Sequence, residues 1–175
     1  MEGRIEAVDR DFVRRYWEER WGLPIISTRG RYMPEDVQGI TWRDEWGEAL
    51  GLITWHIEND WAEIVSLDAF QQGRHIGGRL LSGAEEELRK RGVRHVMIVT
   101  TNDNLRAIAF YVRHGYRITR IELDGLDRVR AEKPDIPETG MDGIPLRDMF
   151  ELEKDIQAAG GHSRMPPDPR PETFT

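Results

Sequence analysis

Hydrophobic positions change their period along this chain, and the changes mark out its elements. Phe12, Tyr16 and Trp17 fall on one side of a helix running to about Trp21, with charges between them and Asp9 or Asp11 as cap. Gly22 and Pro24 stop it. Residues 25–28 read as a short strand and 29–36 as a loop. Three strands follow as a meander: 37–43, 49–57 and 61–68, joined by turns at 44–48 and 58–60. In the third, alternation puts Glu63, Val65 and Leu67 on one face and Ile64 and Ser66 on the other.

The period then becomes helical. Ile76, Leu80, Leu81, Ala84 and Leu88 form a stripe, with Arg79, Glu85, Glu86, Arg89 and Lys90 off it, and Gly92 ends the helix. Residues 95–101 contain Val-Met-Ile-Val without alternation, the mark of a strand buried on both faces. A helix from about 104 to 114 follows and stops at Gly115. Its apolar stripe reads as Leu105, Ile108, Ala109 and Val112, with Asn104, Ala107 and Tyr111 on the stripe beside it. A strand at 116–123, a helix at 124–133 closed by Pro134, a loop at 137–143 and a last strand at 144–152 complete the order. From 157 to 175 the chain is rich in Gly and Pro and reads as a solvated tail behind one domain at 1–156. The expected class is α/β: a mixed, mainly antiparallel central sheet flanked by helices, with one βαβ crossover in the middle.

Composition narrows the function classes. The 175 residues suit one domain with one core. A formal net charge of −7 disfavours non-specific contact with nucleic acid or an anionic membrane, and mildly favours cationic partners such as amines. No apolar run is long enough to span a bilayer, and no apolar signal segment follows Met1. With no cysteine there is no thiolate nucleophile or thiolate metal site, which fits a reducing cytoplasm. The histidines and acids show no metal-ligand spacing.

Two segments carry candidate chemistry. Residues 71–79, QQGRHIGGR, link a strand to a helix and hold three glycines and two arginines. Glycine lets backbone amides approach a ligand, and the first turn of a helix presents unpaired amides with positive dipole. That suits a pyrophosphate; a turn followed by a solvated helix face explains the loop equally well. It is neither a Walker loop nor a dinucleotide fingerprint. Tyr111 stands at the margin of its helix with a small residue one turn back, so its ring can be held while its hydroxyl reaches a cleft. A core tyrosine with its hydroxyl at the surface fits the same spacing.

Taken together and in this order, the two segments resemble the GCN5-related N-acetyltransferase (GNAT) superfamily. Its motif Gln/Arg-x-x-Gly-x-Gly/Ala falls on residues 72–77, with His75 in place of the first motif glycine. Its motif Asn-x-x-Ala-x-x-Phe-Tyr-x-x-x-Gly-Phe falls on Asn104, Ala107, Phe110, Tyr111, Gly115 and Tyr116. Residues 124–152, with Lys-Pro-x-Ile-Pro and Gly-Ile-Pro-Leu-Arg-Asp, look like an uncharacterised branch.

The resemblance implies acetyl-CoA as co-substrate, its pantetheine arm running between splayed central strands at 61–68 and 95–101. Backbone groups near Leu67 and Ala69 would pair with the arm. Gln72, Gly73, Arg74, His75, Ile76, Gly77, Gly78 and Arg79 would hold the pyrophosphate. Asn104 and Ala107 would border the arm, and Tyr111 would face the sulfur. His75 would either narrow the approach to the pyrophosphate or, when protonated, donate to it.

The implied reaction is direct attack by a primary amine, with Tyr111 as general acid for the leaving thiolate. Glu63 is the candidate base, a paired strand carboxylate being the equal alternative; Asp68 is weaker. Tyr16, Trp17, Trp21 and Tyr32 are candidates for the acceptor wall. The acceptor, a small molecule or a protein, is open, as is the oligomeric state, a homodimer included. Rival readings are a non-catalytic acyl-CoA-binding module and a plain interaction domain.

Overall fold

A computed structural model describes residues 3–71 and 73–157. In chain order the elements are β1 (Arg4–Ala7), α1 (Arg10–Arg20), β2 (Ile25–Ile26), β3 (Arg31–Tyr32), β4 (Gln38–Arg43), β5 (Ala49–Glu58), β6 (Trp61–Ala69), α2 (Ile76–Lys90), β7 (His95–Thr101), α3 (Leu105–Arg113), β8 (Arg117–Glu122), α4 (Gly125–Glu132) and β9 (Met149–Asp155). A seven-stranded sheet has the order β1-β4-β5-β6-β7-β9-β8, and β2-β3 form a separate hairpin. The sheet pairs are antiparallel except β6–β7, where α2 makes the crossover. This is the mixed α/β sheet that the alternation and the helical stripes predict.

Helices cover both faces. The stripe Ile76, Leu80, Leu81, Ala84 and Leu88 of α2 buries against Leu50, Ile53, Trp55, Ile64, Val96 and Ile98. On the opposite face, α1 drives Val13 and Trp17 against Leu52, with Tyr32 of the hairpin beside them. α4 joins that face through Leu126 and Val129, packed with Met149, Val99 and Ile26. Asp9 caps α1 by accepting the Phe12 amide at 2.8 Å. Glu85, buried on α2, accepts from the Tyr116 hydroxyl at 3.0 Å and from Lys154 Nζ at 2.9 Å, tying α2 to the end of α3 and to β9.

Several elements differ from the sequence expectation. β1 is not foreseen, because Arg-Ile-Glu-Ala is only four residues long and lies largely exposed on the sheet edge. Residues 29–36, expected as loop, contain β3, which pairs Arg31–Tyr32 with Ile25–Ile26. The last strand begins at Met149, not 144, and runs on through Glu153, Lys154 and Asp155. Its charged residues look like a strand end until Glu151 finds Arg120 at 2.9 Å and Lys154 finds Glu85.

α3 is rotated relative to its expected stripe. Leu105, Ala109 and Val112 are exposed, and the buried side is that of Ala107, Phe110 and Tyr111. β6 also departs from strict alternation. Thr54 pairs with Ser66 but the next residue, Trp55, pairs with Ile64, so Val65 is a bulge. Past it the faces swap: Val65 and Ser66 both face α1, while Leu67 joins Ile64 over α2.

Gly51 on β5 sets the approach of α2. A Cβ there would lie 2.6 Å from the Asp68 carbonyl oxygen, 2.8 Å from Leu80 Cδ1 and 2.9 Å from Ile76 Cγ2. Gly51→Ala should lower unfolding free energy by about 1–3 kcal/mol through overpacking, read from the urea midpoint at unchanged m-value; an unaltered midpoint would mean that α2 can shift freely.

Candidate active site

β6 and β7 run side by side for four residues, Trp61↔His95 to Ile64↔Ile98, and then part. β7 stays paired to β9 along its whole length, through Thr101↔Met149. β6 stays paired to β5 up to Gly51↔Ala69. The Phe70 amide donates to the Leu50 carbonyl at 2.8 Å, so alternation leaves the backbone groups of Leu67 and Ala69 on the edge that β7 has left. The bulge at Val65 lies at the point of parting and adds twist to β6 there.

One end of this opening faces the loop before α2. Gly73 has φ +82° with nothing near a would-be Cβ, so its role is conformational. His75, the residue before α2, is left-handed at φ 54°, ψ 24°. That explains physically why the family pattern has glycine at this position: a side chain here costs backbone strain. The helix start has no side-chain cap and no acid in its first turn, which leaves its amides and dipole available to an anion. Gly77 and Gly78 lie against Phe110 of α3 and His114 at its C-cap, and let the two helices approach. Arg74 is exposed, whereas the Arg79 guanidinium lies 4.6 Å over the Trp42 ring. Gln72 is outside the described residues, as are residues 158–175 of the expected tail; Gln157 Nε2 donates to the Val93 carbonyl at 3.0 Å.

α3 brings its motif to the same opening. Asn104 caps it, its side-chain oxygen accepting the Ala107 amide at 3.2 Å. Tyr111 is 7% exposed, edge-on to Phe110 and Tyr116. Its hydroxyl makes no hydrogen bond among the described residues. Burial, and then the nearby charge of Asp68, raise its pKa, so the phenol stays protonated.

The two candidate carboxyls differ in surroundings. Glu63 is 1% exposed beneath the β2–β3 hairpin and accepts from the Tyr32 hydroxyl at 2.6 Å. Burial pushes it up to about 7, against the opposing pull of Tyr32, Ser27 and Arg29. Glu151 and Glu153 share this buried layer, with Arg29 reaching 3.8 Å and 4.0 Å from them. Asp68 stands on the α1 face near the mouth. The Tyr16 phenol and Arg20 are near it, and its Oδ2 is buried without a hydrogen-bond partner among the described residues. Burial raises its pKa and, with the Asp68 charge, pushes Tyr16 up to about 12. Sequence reasoning ranked Asp68 low; its adjacency to Tyr111 depends on the bulge three residues earlier.

Next to the parting strands, on the α1 face, lies a cavity of about 260 Å³. Val65 and Val99–Thr101 form its floor, Trp21, Ile25 and Ile26 one wall, and α4 with Lys133 and Ile136 the other. Of the expected acceptor wall, Trp21 is present. Tyr16 is at the mouth, its ring 5.7 Å from Trp21 and 5.0 Å from Phe70. Trp17 is instead fully buried, its indole N–H donating to Ser66 Oγ at 3.1 Å. Helix α1 turns it onto the sheet, and it cannot line an acceptor site. Tyr32 is taken by Glu63. The contribution of α4 was not foreseen, since nothing local in its sequence says that it folds back over the hairpin.

A sheet whose central parallel pair opens beside a glycine-rich helix start defines a CoA-dependent acetyltransferase class of fold. The chain belongs to the acetyltransferase (GNAT) family, whose model matches residues 7–116. It is 36% identical over 151 residues to the uncharacterised protein YxbD of Bacillus subtilis strain 168, covering 86% of this chain and 95% of that one. Its fold is similar to that of IAA acetyltransferase from Bacillus cereus ATCC 14579, with a TM-score of 0.69 and 20% identity over 88% of this chain and 99% of that one. It is also similar to a Bacillus subtilis acetyltransferase in complex with CoA, with a TM-score of 0.67 and 21% identity over 88% and 99%. The mainly antiparallel, splayed α/β architecture expected of the family is present.

Two measurements follow from this geometry. Relieving the left-handed strain, His75→Gly should leave stability equal or higher, whereas β-branched His75→Val should lower it by about 1–2 kcal/mol; equal denaturant midpoints for both would remove the strain argument. The second concerns Glu63. Its folded pKa of about 7 exceeds the unfolded ~4.3. The native chain therefore holds a proton that the unfolded chain has lost, and stability falls as pH rises across that window. Glu63→Gln cannot ionise and can still accept from Tyr32. Its stability relative to the parent should rise by about 3 kcal/mol from pH ~4 to ~7 and then level; a constant difference across that range would place the Glu63 pKa near its ordinary value.

Proposed function

We propose that the protein is an N-acetyltransferase that moves the acetyl group of acetyl-CoA directly to a primary amine. The observation that carries this reading is the opening between β6 and β7, bordered by the uncapped start of α2 and by a Tyr111 hydroxyl with no hydrogen-bond partner among the described residues. Solved relatives of this fold include one in complex with CoA and one with acetyl-CoA bound. In this chain the amides from Gly73 to Gly78, with Arg74, take the pyrophosphate. The free edge at Leu67 and Ala69 pairs with the pantetheine amides, and Asn104 and Ala107 border the arm.

The neutral amine attacks the thioester carbonyl carbon from the cavity side. The C–S bond breaks, and the thiolate takes its proton from the Tyr111 hydroxyl. Its raised pKa keeps the phenol a hydrogen-bond donor at every working pH but makes it a weaker acid than a solvated phenol; the tyrosinate left by the transfer regains its proton from solvent before the next turnover. The amine proton leaves to a carboxylate. Glu63, near 7, is matched to that task and accepts from the Tyr32 hydroxyl, on the strand paired with Ile25 and Ile26 of the cavity wall. One observation favours a second assignment: Asp68 Oδ2 is buried without a hydrogen-bond partner among the described residues, and the Asp68 charge raises Tyr111. Glu63→Gln and Asp68→Asn separate the two, since only loss of the true base removes the acidic limb of the kcat/KM profile.

Tyr111→Phe tests the core of the reading, since it keeps the ring and removes the hydroxyl. Turnover should fall ~10²–10⁴-fold, and less with acyl donors whose leaving thiol has a lower pKa. Acetyl-CoA at ~100 times its Kd should still stabilise the variant by about 2.7 kcal/mol, as it does the parent. Full activity would remove Tyr111 from the chemistry, and a parent melting temperature indifferent to acetyl-CoA would reject the co-substrate.

A further inference from the structure

The cavity on the α1 face has a composition that selects its occupant. Its described lining is apolar except for Thr100, Thr101 and Lys133. The Thr101 hydroxyl donates to Asp103. Lys133 Nζ is bonded to the backbone carbonyls of Trp21 at 2.8 Å, Pro24 at 3.0 Å and Gly22 at 3.3 Å. An ammonium has three N–H donors, and all three are taken. The cationic group in this wall therefore pins the α1–β2 connection to the end of α4 and has no donor left for a substrate carboxylate.

At the mouth the chemistry reverses. Trp21, a wall of the cavity, meets the Tyr16 ring edge-on. Asp68 stands near both phenols, its charge raising Tyr16 and Tyr111 alike, and its Oδ2 has no hydrogen-bond partner among the described residues. The apolar chamber thus adjoins the strand end that carries Asp68, three residues beyond Val65 of its floor.

Resting on the acetyltransferase reading, we infer that the acceptor is a small primary amine carried on a compact alkyl or aryl body without a carboxylate. The body occupies the chamber under α4, and the nitrogen lies toward Asp68 and Tyr111. Size agrees: an apolar cavity of about 150 Å³ takes a benzene-sized guest, and this one, at about 260 Å³, has room for a ring with a short chain. Amino acids, polyamines and peptide N-termini fit poorly, since each would bring a charged or amide group against Val99, Leu126 and Val129 with no polar partner there.

The test uses the full chain with saturating acetyl-CoA and follows thiol release. Acceptors are straight-chain amines from propyl to hexyl, benzylamine and 2-phenylethylamine, against glutamate, spermidine and an N-terminal peptide. We expect kcat/KM to climb about 4-fold or more per methylene until the chamber is full. Arylalkyl amines should exceed the polar acceptors by at least ~10-fold. Val129→Phe should move the optimum to shorter amines; should that variant not fold, Ile136→Trp narrows the chamber from its half-exposed rim. A preference for glutamate, spermidine or the peptide, or indifference to chain length, would overturn the assignment. Calorimetric titration of the CoA-saturated protein with 2-phenylethylamine separates the two levels. Binding that is lost in the narrowed variant, without transfer to any amine, would uphold the chamber and reject the transferase reading. Absence of binding would overturn the chamber itself.

Discussion

Two central strands that begin as partners and cannot remain so are the constraint on which the rest of this molecule depends. β7 is held by seven consecutive pairings to β9, and β6 by its ladder to β5. One extra residue in β6, Val65, bends it just after the last shared pair. A sheet interior with unpaired backbone edges is costly unless something else satisfies them. Here the opening is bordered by α3 on one face and by the apolar chamber on the other. The same bulge moves Asp68 to the α1 face, near Tyr16. Binding edge, candidate base and chamber thus share one physical origin.

The second organising feature is a buried polar layer between the sheet and the β2–β3 hairpin. Glu63, Glu151 and Glu153 lie there with Arg29, while Arg120 reaches Glu151 from β8. Such a layer adds little net stability relative to apolar packing, but leaving one of its charges unpaired costs about 3–5 kcal/mol. It fixes the hairpin in a single position over the sheet. Ile25 and Ile26 of that hairpin form one wall of the chamber, so the polar layer sets its shape. Lys133 does comparable work from the other side by fastening the connection after α1 to the end of α4.

Much of this was legible in the sequence because it is local. The α2 stripe, the meander of β4 to β6, the crossover to β7 and the glycine stops at Gly92 and Gly115 follow from periodicity and backbone preference over a few residues. The spaced residues Asn104, Ala107, Phe110, Tyr111 and Gly115 identify the family because each meets a requirement within a single helix and its cap. The glycine-rich run before α2 is legible for the same reason, and the left-handed His75 shows the cost of departing from it.

What only the tertiary structure decided depends on partners distant along the chain. The bulge at Val65 exists in a pairing and has no signature in Glu-Ile-Val-Ser-Leu-Asp. The face of α3 was misread because Leu105, Ala109 and Val112 are apolar yet exposed among the described residues, while Tyr111 is buried through Tyr116 and Phe110. β9 continues through charged residues because Glu85 and Arg120 neutralise them from other elements. Trp17 leaves the acceptor wall for the core once Ser66 supplies its partner. Local sequence sets which backbone shapes are cheap; which polar groups may be buried, and where a chamber remains, is settled by what arrives opposite them.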